Sequence, residues 1–205
     1  MKRLDFLASL LKGSDIVLDI GSDHGLVLKK AFDKNYISKG LASDIALGPL
    51  SAAQNNLKDY NVDFYLSDGF KRINDNSYDT VLIAGMGAYL IAEILDLAKK
   101  DCKYILQANE KTHILRKYLS ENGFQITNEH IIKEGYYYVI LECKKGTQEL
   151  SEEEYYVGPI LKNKEESKDY FMNKIKIIDS YIDKVDEKTR EEYVRIKNFY
   201  QKYSQ

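Results

Sequence analysis

This chain has little cysteine, no charge bias and no long apolar run, and each lack excludes something. Its two cysteines, Cys102 and Cys143, stand far apart and match no metal-ligand spacing. They read as small buried apolar residues in a reducing cytoplasm, and no metal is expected. Thirty Lys and Arg residues stand against 32 Asp and Glu, a formal net charge of -2. The chain as a whole is therefore not a basic nucleic-acid binder, and any phosphate-binding face has to be local. No stretch approaches the ~18–20 apolar residues of a membrane span. The apolar run in MKRLDFLASLL is short and interrupted by Asp5, unlike a secretory signal. A soluble cytoplasmic protein, without a membrane partner and monomeric, is expected. Internal repeats and low-complexity tracts are absent. So are the nicotinamide fingerprint GxGxxG and the phosphate loop GxxxxGK[ST], which argues against a dehydrogenase.

What is present alternates. After a short helix with Leu4, Leu7, Leu10 and Leu11 at helical spacing, Gly13 stops the pattern. Strands are predicted at 15–20, 40–45, 62–68, 78–85 and 103–109. Helices are predicted at 26–32, 49–60, 88–100 and 112–123, the second with Pro49 in its first turn and the last ended by Gly123. The strand at 78–85 is the most apolar, so it should be central and covered on both faces. Residues 124–143 read as two strands joined by a turn at Glu134–Gly135, with Tyr136, Tyr137 and Tyr138 as strand residues. This order predicts an α/β fold, a doubly wound Rossmann-like sheet with an antiparallel end. Composition shifts after Gly146. From about Asn163 to Tyr203 the chain has neither Gly nor Pro, and apolar residues recur at helical spacing. A break near Asp186–Lys188 gives two helices that can fold back as an antiparallel hairpin. Two units follow, residues 1–146 and 147–205.

An open α/β sheet binds its ligand beyond the carboxyl ends of its strands, where the strand order switches. The first strand runs there into DIGSDHG, residues Asp19 to Gly25. Gly21 and Gly25 permit a tight turn and close backbone approach, and the following helix offers free N–H groups. Asp19-Ile20-Gly21 resembles the opening of DxGxGxG, the first motif of class I methyltransferases, with Asp23 at the middle glycine. Ser22 belongs to the same loop. Asp44 ends the second strand, where a carboxylate can accept two hydrogen bonds from a ribose diol. Asp68 and Gly69 end the third strand. Ala84, Gly85, Met86 and Gly87 end the fourth, where small residues leave room for a base and a methyl group. Taken singly, each is also readable as a turn aspartate or a structural glycine.

Together DIGSDHG, Gly48-Pro49 after Asp44, IAGMG at 83–87 and LQAN at 106–109 resemble the bacterial tRNA (adenine-N1)-methyltransferases that modify position 22. The family's KRL opening stands here as Lys2-Arg3-Leu4, and its VGP segment as Val157-Gly158-Pro159. The resemblance covers nearly the whole chain in order. It implies S-adenosyl-L-methionine as cofactor, tRNA as partner and a coiled-coil-like C-terminal hairpin. The departures are DHGLVL where the family has DHAYLP, LQAN where it has LQPN, and Ala88 after IAGMG. Cofactor binding falls to Asp19, Gly21, Ser22, Gly25, Asp44, Gly48, Asp68, Gly69, Ala84, Gly85, Met86 and Gly87.

Adenine N1 carries a lone pair and needs no base, but it has to be exposed from its pairing. The methylated ring is cationic, and Asp23 is the candidate carboxylate to stabilise it or to accept its amine proton. His24 and Asn109 are its candidate hydrogen-bonding partners; the other reading of Asp23 is cofactor binding or turn capping. Met86 packs on the base or fills core. His113 and His130 read as surface residues. Phosphates need basic side chains, and the candidates are Lys2, Arg3, Lys71, Arg72, Lys111 and Arg116 near the strand ends. On the hairpin they are Lys162, Lys164, Lys168, Lys174 and Lys176. Competing readings are a class I methyltransferase acting on another RNA base, a small molecule or a protein, and a non-catalytic RNA-binding relative.

Overall fold

The computed structural model describes residues 2–74, 77–98 and 100–205. Helix α1 (Arg3–Leu10) precedes five parallel strands: β1 (Ile16–Ile20), β2 (Lys39–Asp44), β3 (Val62–Leu66), β4 (Thr80–Met86) and β5 (Lys103–Ala108). Helices α2 (Leu26–Asp33), α3 (Leu47–Asn56), α4 (Ala88–Leu95) and α5 (Thr112–Glu121) lie between and after them. A hairpin of β6 (Phe124–Glu134) and β7 (Tyr136–Lys145) closes the sheet, with β7 antiparallel to β5. The sheet order is β3-β2-β1-β4-β5-β7-β6, so the direction of winding reverses between β1 and β4. That reversal opens a crevice beyond the ends of those two strands.

Alternate residues of the central strands enter two separate cores. Val17, Leu82 and Ile105 pack on one side of the sheet; Leu18, Ile20, Val81, Ile83 and Leu106 pack on the other. A parallel strand covered on both faces has to be apolar along its length, which is why 78–85 reads as it does. Pro49 lies in the first turn of α3, where its missing N–H costs nothing. Helix α4 is shorter than the 88–100 predicted, ending at Leu95; Lys99, inside that prediction, lies outside the described residues.

The chain beyond β7 contains α6 (Glu152–Val157), α7 (Lys168–Tyr181) and α8 (Glu187–Lys202), with short 3-10 turns between. Helix α6 is not anticipated. Its start is nonetheless written in the sequence: the Ser151 hydroxyl accepts from the Glu154 N–H, and the Glu154 carboxylate accepts from the Ser151 N–H. Helices α7 and α8 are antiparallel, since Phe171 meets Tyr200, Asp179 meets Lys197 and Tyr181 meets Tyr193. Asp186 caps α8 by accepting from the Thr189 N–H at 3.1 Å. Val157, Leu161, Phe171, Ile178, Ile196 and Tyr200 belong to the same buried cluster as Leu106, Leu115 and Leu141 of the sheet domain.

Candidate active site at the strand switch

Beyond the ends of β1, β2 and β4 lies a cleft of about 530 Å³. The glycine loop is strapped across its floor. The N–H groups of Gly21 and Ser22 both donate to the Ser43 carbonyl, at 2.8 and 2.9 Å. The Asp23 N–H donates to Asp44 Oδ2 at 3.1 Å, and the Gly25 N–H to the Ser22 carbonyl at 2.7 Å. Asp44 Oδ1 accepts from the Ala46 N–H at 2.9 Å. Two backbone donors thus hold the Asp44 carboxylate, and its remaining lone pairs line the cleft. Gly21 is required by conformation and by space. Its φ is +73°, and a Cβ there would fall 1.9 Å from Met86 Cε. The Met86 side chain therefore lies against the glycine loop.

Asp19 is 4% exposed and lines the same cleft. Burial, and then the charge of Asp44, push its carboxyl up to about 7. No cationic side chain forms an ion pair with it among the described residues. The Ser22 and Ser43 hydroxyls are buried nearby without partners. Ile45, 70% exposed, and Leu26, Leu90 and Ile94 add apolar walls. A buried acid without a counter-cation, an oriented carboxylate and an apolar slot fit a ligand with an ammonium group, a ribose diol and a flat base. S-adenosylmethionine has all three. The sequence pointed to the acids and glycines; Ile45 and Leu90 escaped it, although Ile45 directly follows Asp44.

The expected cofactor residues are not all brought together. Asp19, Gly21, Ser22, Asp44, Asp68, Gly69, Ala84, Gly85 and Met86 line the cleft. Gly25, φ +68°, makes the turn into α2 and lies against Leu57. Gly48 is inside α3 and Gly87 caps α4, both outside the lining. Asp68 pairs with Lys71 at 2.5 Å.

Asp23 sits at the mouth, its side chain 68% exposed, with His24 Nε2 3.6 Å from its carboxylate. Its φ of +51° keeps the left-handed conformation of the glycine it replaces, which Asp tolerates better than most residues. Asn109 does not join them. Its side-chain amide donates to the Gly85 carbonyl at 2.7 Å, and its backbone N–H donates to the Met86 carbonyl at 2.8 Å. Its Oδ1 accepts from Gln107, whose own oxygen accepts from Arg3 Nη1 at 2.6 Å. The expectation that Asn109 partners Asp23 is therefore corrected: it braces the bulge at Gly85.

Three further expectations need correction. Arg116 is buried against Glu129 and offers nothing to phosphate. His113 is half-buried rather than on the open surface; it stacks on Tyr156 at 4.8 Å, and burial, then Arg116 and Lys174, lower its pKa to about 4. His130 lies 2.6 Å from Glu142 and meets Phe6 edge-on. Of the other basic candidates, Lys162 pairs with Glu154 and Lys168 with Glu165. Lys164 donates to Asn128 and the Glu129 carbonyl. Lys2 caps α1 in an exposed position, and the Arg72 N–H donates to the Ser67 hydroxyl. Among the described residues there is no cluster of three or more His, Cys, Asp or Glu side chains that could hold a metal. None of their helices is long and apolar enough to cross a membrane.

Comparison with known proteins gives the same answer along the whole chain. Residues 17–204 match the family described as TrmK: tRNA (adenine(22)-N(1))-methyltransferase. A Mycoplasma pneumoniae protein named "Putative tRNA methyltransferase" is 37% identical over 172 residues, covering 79% of this chain and 81% of that protein. The Bacillus subtilis tRNA (adenine(22)-N(1))-methyltransferase is 29% identical over 157 residues, covering 72% of this chain and 66% of the relative. Among solved structures, a Streptococcus pneumoniae protein described as "a putative tRNA (m1A22) methyltransferase, in complex with S-adenosyl-L-methionine" superposes with a TM-score of 0.88. It is 26% identical and covers 100% of this chain and 99% of its own. With residues 17–204 matched to its model, the chain belongs to the tRNA (adenine(22)-N(1))-methyltransferase family.

Proposed function

We infer that this chain transfers the methyl group of S-adenosylmethionine to N1 of adenine 22 in tRNA, in the cytoplasm where tRNA is matured. The observation that carries the reading is the buried, unpaired Asp19 beside the oriented Asp44 on the glycine loop, in a chain matched to the family over residues 17–204. The cofactor supplies a methyl group on a sulfonium, an electrophile that needs no activation. Asp19 would hold its ammonium group, Asp44 its ribose hydroxyls, and the slot of Ile45, Leu90 and Ile94 its adenine.

The remaining work of the chain is to align and to stabilise. In-line displacement gains most of its rate from holding the two partners in register. The bulge at Gly85–Met86, braced by Asn109 and Gln107, fixes the backbone where the base has to enter. The target ring becomes cationic on methylation. Asp23, exposed at the mouth and free of any strong ion pair, is placed to balance that charge or to take a proton from the exocyclic amine. His24 stands beside it. Residues 1–146 carry this chemistry, and residues 147–205 supply part of the surface that holds tRNA.

The deciding test is a tritiated-methyl assay on unmodified tRNA followed by nucleoside mapping. Label should appear as 1-methyladenine at position 22. Label on guanine, or none in tRNA, would refute the assignment.

A further inference from the structure

A second cavity, of about 840 Å³, opens beside the cofactor cleft and shares Arg3 and Gly85 with it. One wall is the turn of the β6–β7 hairpin, the other the face of α7 that carries Tyr170 and Lys174. Three cations edge it, and each lies over a ring: Arg3 over Tyr138 at 4.9 Å, Lys133 over Tyr137 at 5.0 Å and Lys174 over Tyr170 at 5.4 Å. None of the three forms a side-chain ion pair among the described residues, whereas Lys71, Lys162 and Lys168 all do. One carboxylate, Glu110, borders the cavity; Glu134, next to the lining residue Lys133, has one oxygen engaged by the Arg3 backbone N–H at 2.6 Å. Tyr136, 79% exposed at the start of β7, presents an uncovered ring to it.

Cations that are not ion-paired, next to open aromatic faces, bind single-stranded nucleic acid: the rings stack bases and the cations meet phosphates. A base still paired in a duplex has no free face to offer. The shared Arg3 and Gly85 make this cavity continuous with the cleft in which the target adenine would have to meet the methyl group. We propose that it is a subsite for the unpaired nucleotide next to the methylated adenine. Its base stacks on Tyr136 and its phosphate meets Lys133 and Lys174. The proposal rests on the tRNA reading above, and it gives α7 a defined part in holding RNA. Holding a neighbour also helps to keep an extruded adenine out of its helix, since re-stacking would have to break that grip.

The test compares Tyr136→Ala, Tyr136→Phe and the double variant Lys133→Ala/Lys174→Ala with the unaltered protein. Fluorescence anisotropy reports tRNA affinity, and calorimetry reports S-adenosylmethionine affinity. Tyr136→Ala should weaken tRNA binding about tenfold, the loss of roughly one stacked base, while Tyr136→Phe binds as before. The double lysine variant should reduce the slope of log affinity against log salt by about 1. Cofactor affinity should not move in any of them. A tRNA Kd for Tyr136→Ala within twofold of the parent, or no tRNA binding by the parent, overturns the subsite. Should the parent bind tRNA through Tyr136 yet leave adenine N1 unmethylated, the subsite stands and the proposed reaction falls.

Discussion

Arg116 Nε donates to Glu129 Oε1 at 2.7 Å with both side chains at most 1% exposed. Glu129 Oε2 also accepts the N–H groups of Ile160 and Leu161, at 2.8 and 2.9 Å. Arg116 Nη1 donates to the carbonyls of Tyr155 and Tyr156. One ion pair between α5 and β6 thus fastens the segment that leads into the C-terminal helices. Gly158 passes close above it; a Cβ there would fall 2.6 Å from Glu129 Oε2 and 2.7 Å from Arg116 Nη2.

Removing one partner of such a pair strands the other charge out of water. Glu129→Ala should therefore cost about 3–5 kcal/mol of stability, read as a lower urea midpoint. Limited proteolysis should then cut first within 147–167, since two backbone N–H groups there lose their acceptor. A loss below about 1 kcal/mol, the range of an exposed pair, would show that the pair does not fasten the tail.

If Asp19 holds the cofactor's ammonium group, cofactor binding should depend on pH. Its carboxyl is raised to about 7, so folding takes up a proton and the free protein loses stability as pH rises from about 4 to 7. An ammonium group beside it favours the carboxylate and expels that proton. S-adenosylmethionine affinity should rise with pH up to about 7. Calorimetry in two buffers of different ionisation enthalpy should detect about one proton released at pH 6, a release gone by pH 8. Asp19→Asn should abolish the proton release and weaken binding; proton release unchanged in that variant would remove Asp19 from the site.

Glu142 works in the opposite sense. The hydrogen bond from His130, then Lys103 Nζ at 2.7 Å, outweigh burial and hold its carboxyl down to about 2. A depressed carboxyl stabilises the fold above its unfolded value near 4.5, and that stability is lost as pH falls from 4.5 towards 2. Glu142→Gln should be clearly less stable than the parent at pH 7, with the difference closing near pH 2. A gap that stays constant with pH would mean that the glutamate charge is not what stabilises.

These pairs mark where sequence reading stops. Strand and helix periodicity located the five parallel strands, and the glycine and aspartate loops at their ends followed, because each is set by neighbours a few residues away. Arg116 looked like a phosphate ligand because its partner arrives from β6, folded against it by the sheet. Asn109 was assigned to Asp23, but the bulge at Gly85 turns its amide to a backbone carbonyl. Lys71 and Lys168 were offered to phosphate although Asp68 and Glu165 stand three residues before them, a spacing visible in the sequence; the partner of Lys162, Glu154, is eight residues away and is brought to it by the turn after α6. Helix α6 was missed although Ser151 and Glu154 stand at capping-box spacing, because six residues are too short to show a helical apolar repeat.

Asp23 has two readings, a carboxylate that balances the cationic ring or a turn residue, and its backbone allows them to be told apart. Its φ is +51°, so alanine would strain the turn as well as remove the carboxylate. Asparagine keeps the shape and the left-handed preference without the charge. Glycine restores the residue that the general methyltransferase motif has there. If the carboxylate balances the cationic ring, both Asp23→Asn and Asp23→Gly should lose about 10²-fold or more in kcat. Cofactor affinity should hold, because the Asp23 contact to Asp44 is made by its backbone N–H, which both variants retain. Single-turnover methylation with saturating tRNA reads the chemical step apart from binding. Full turnover in the glycine variant would make Asp23 a turn residue, and alignment by the Gly85–Met86 bulge would then carry the rate alone.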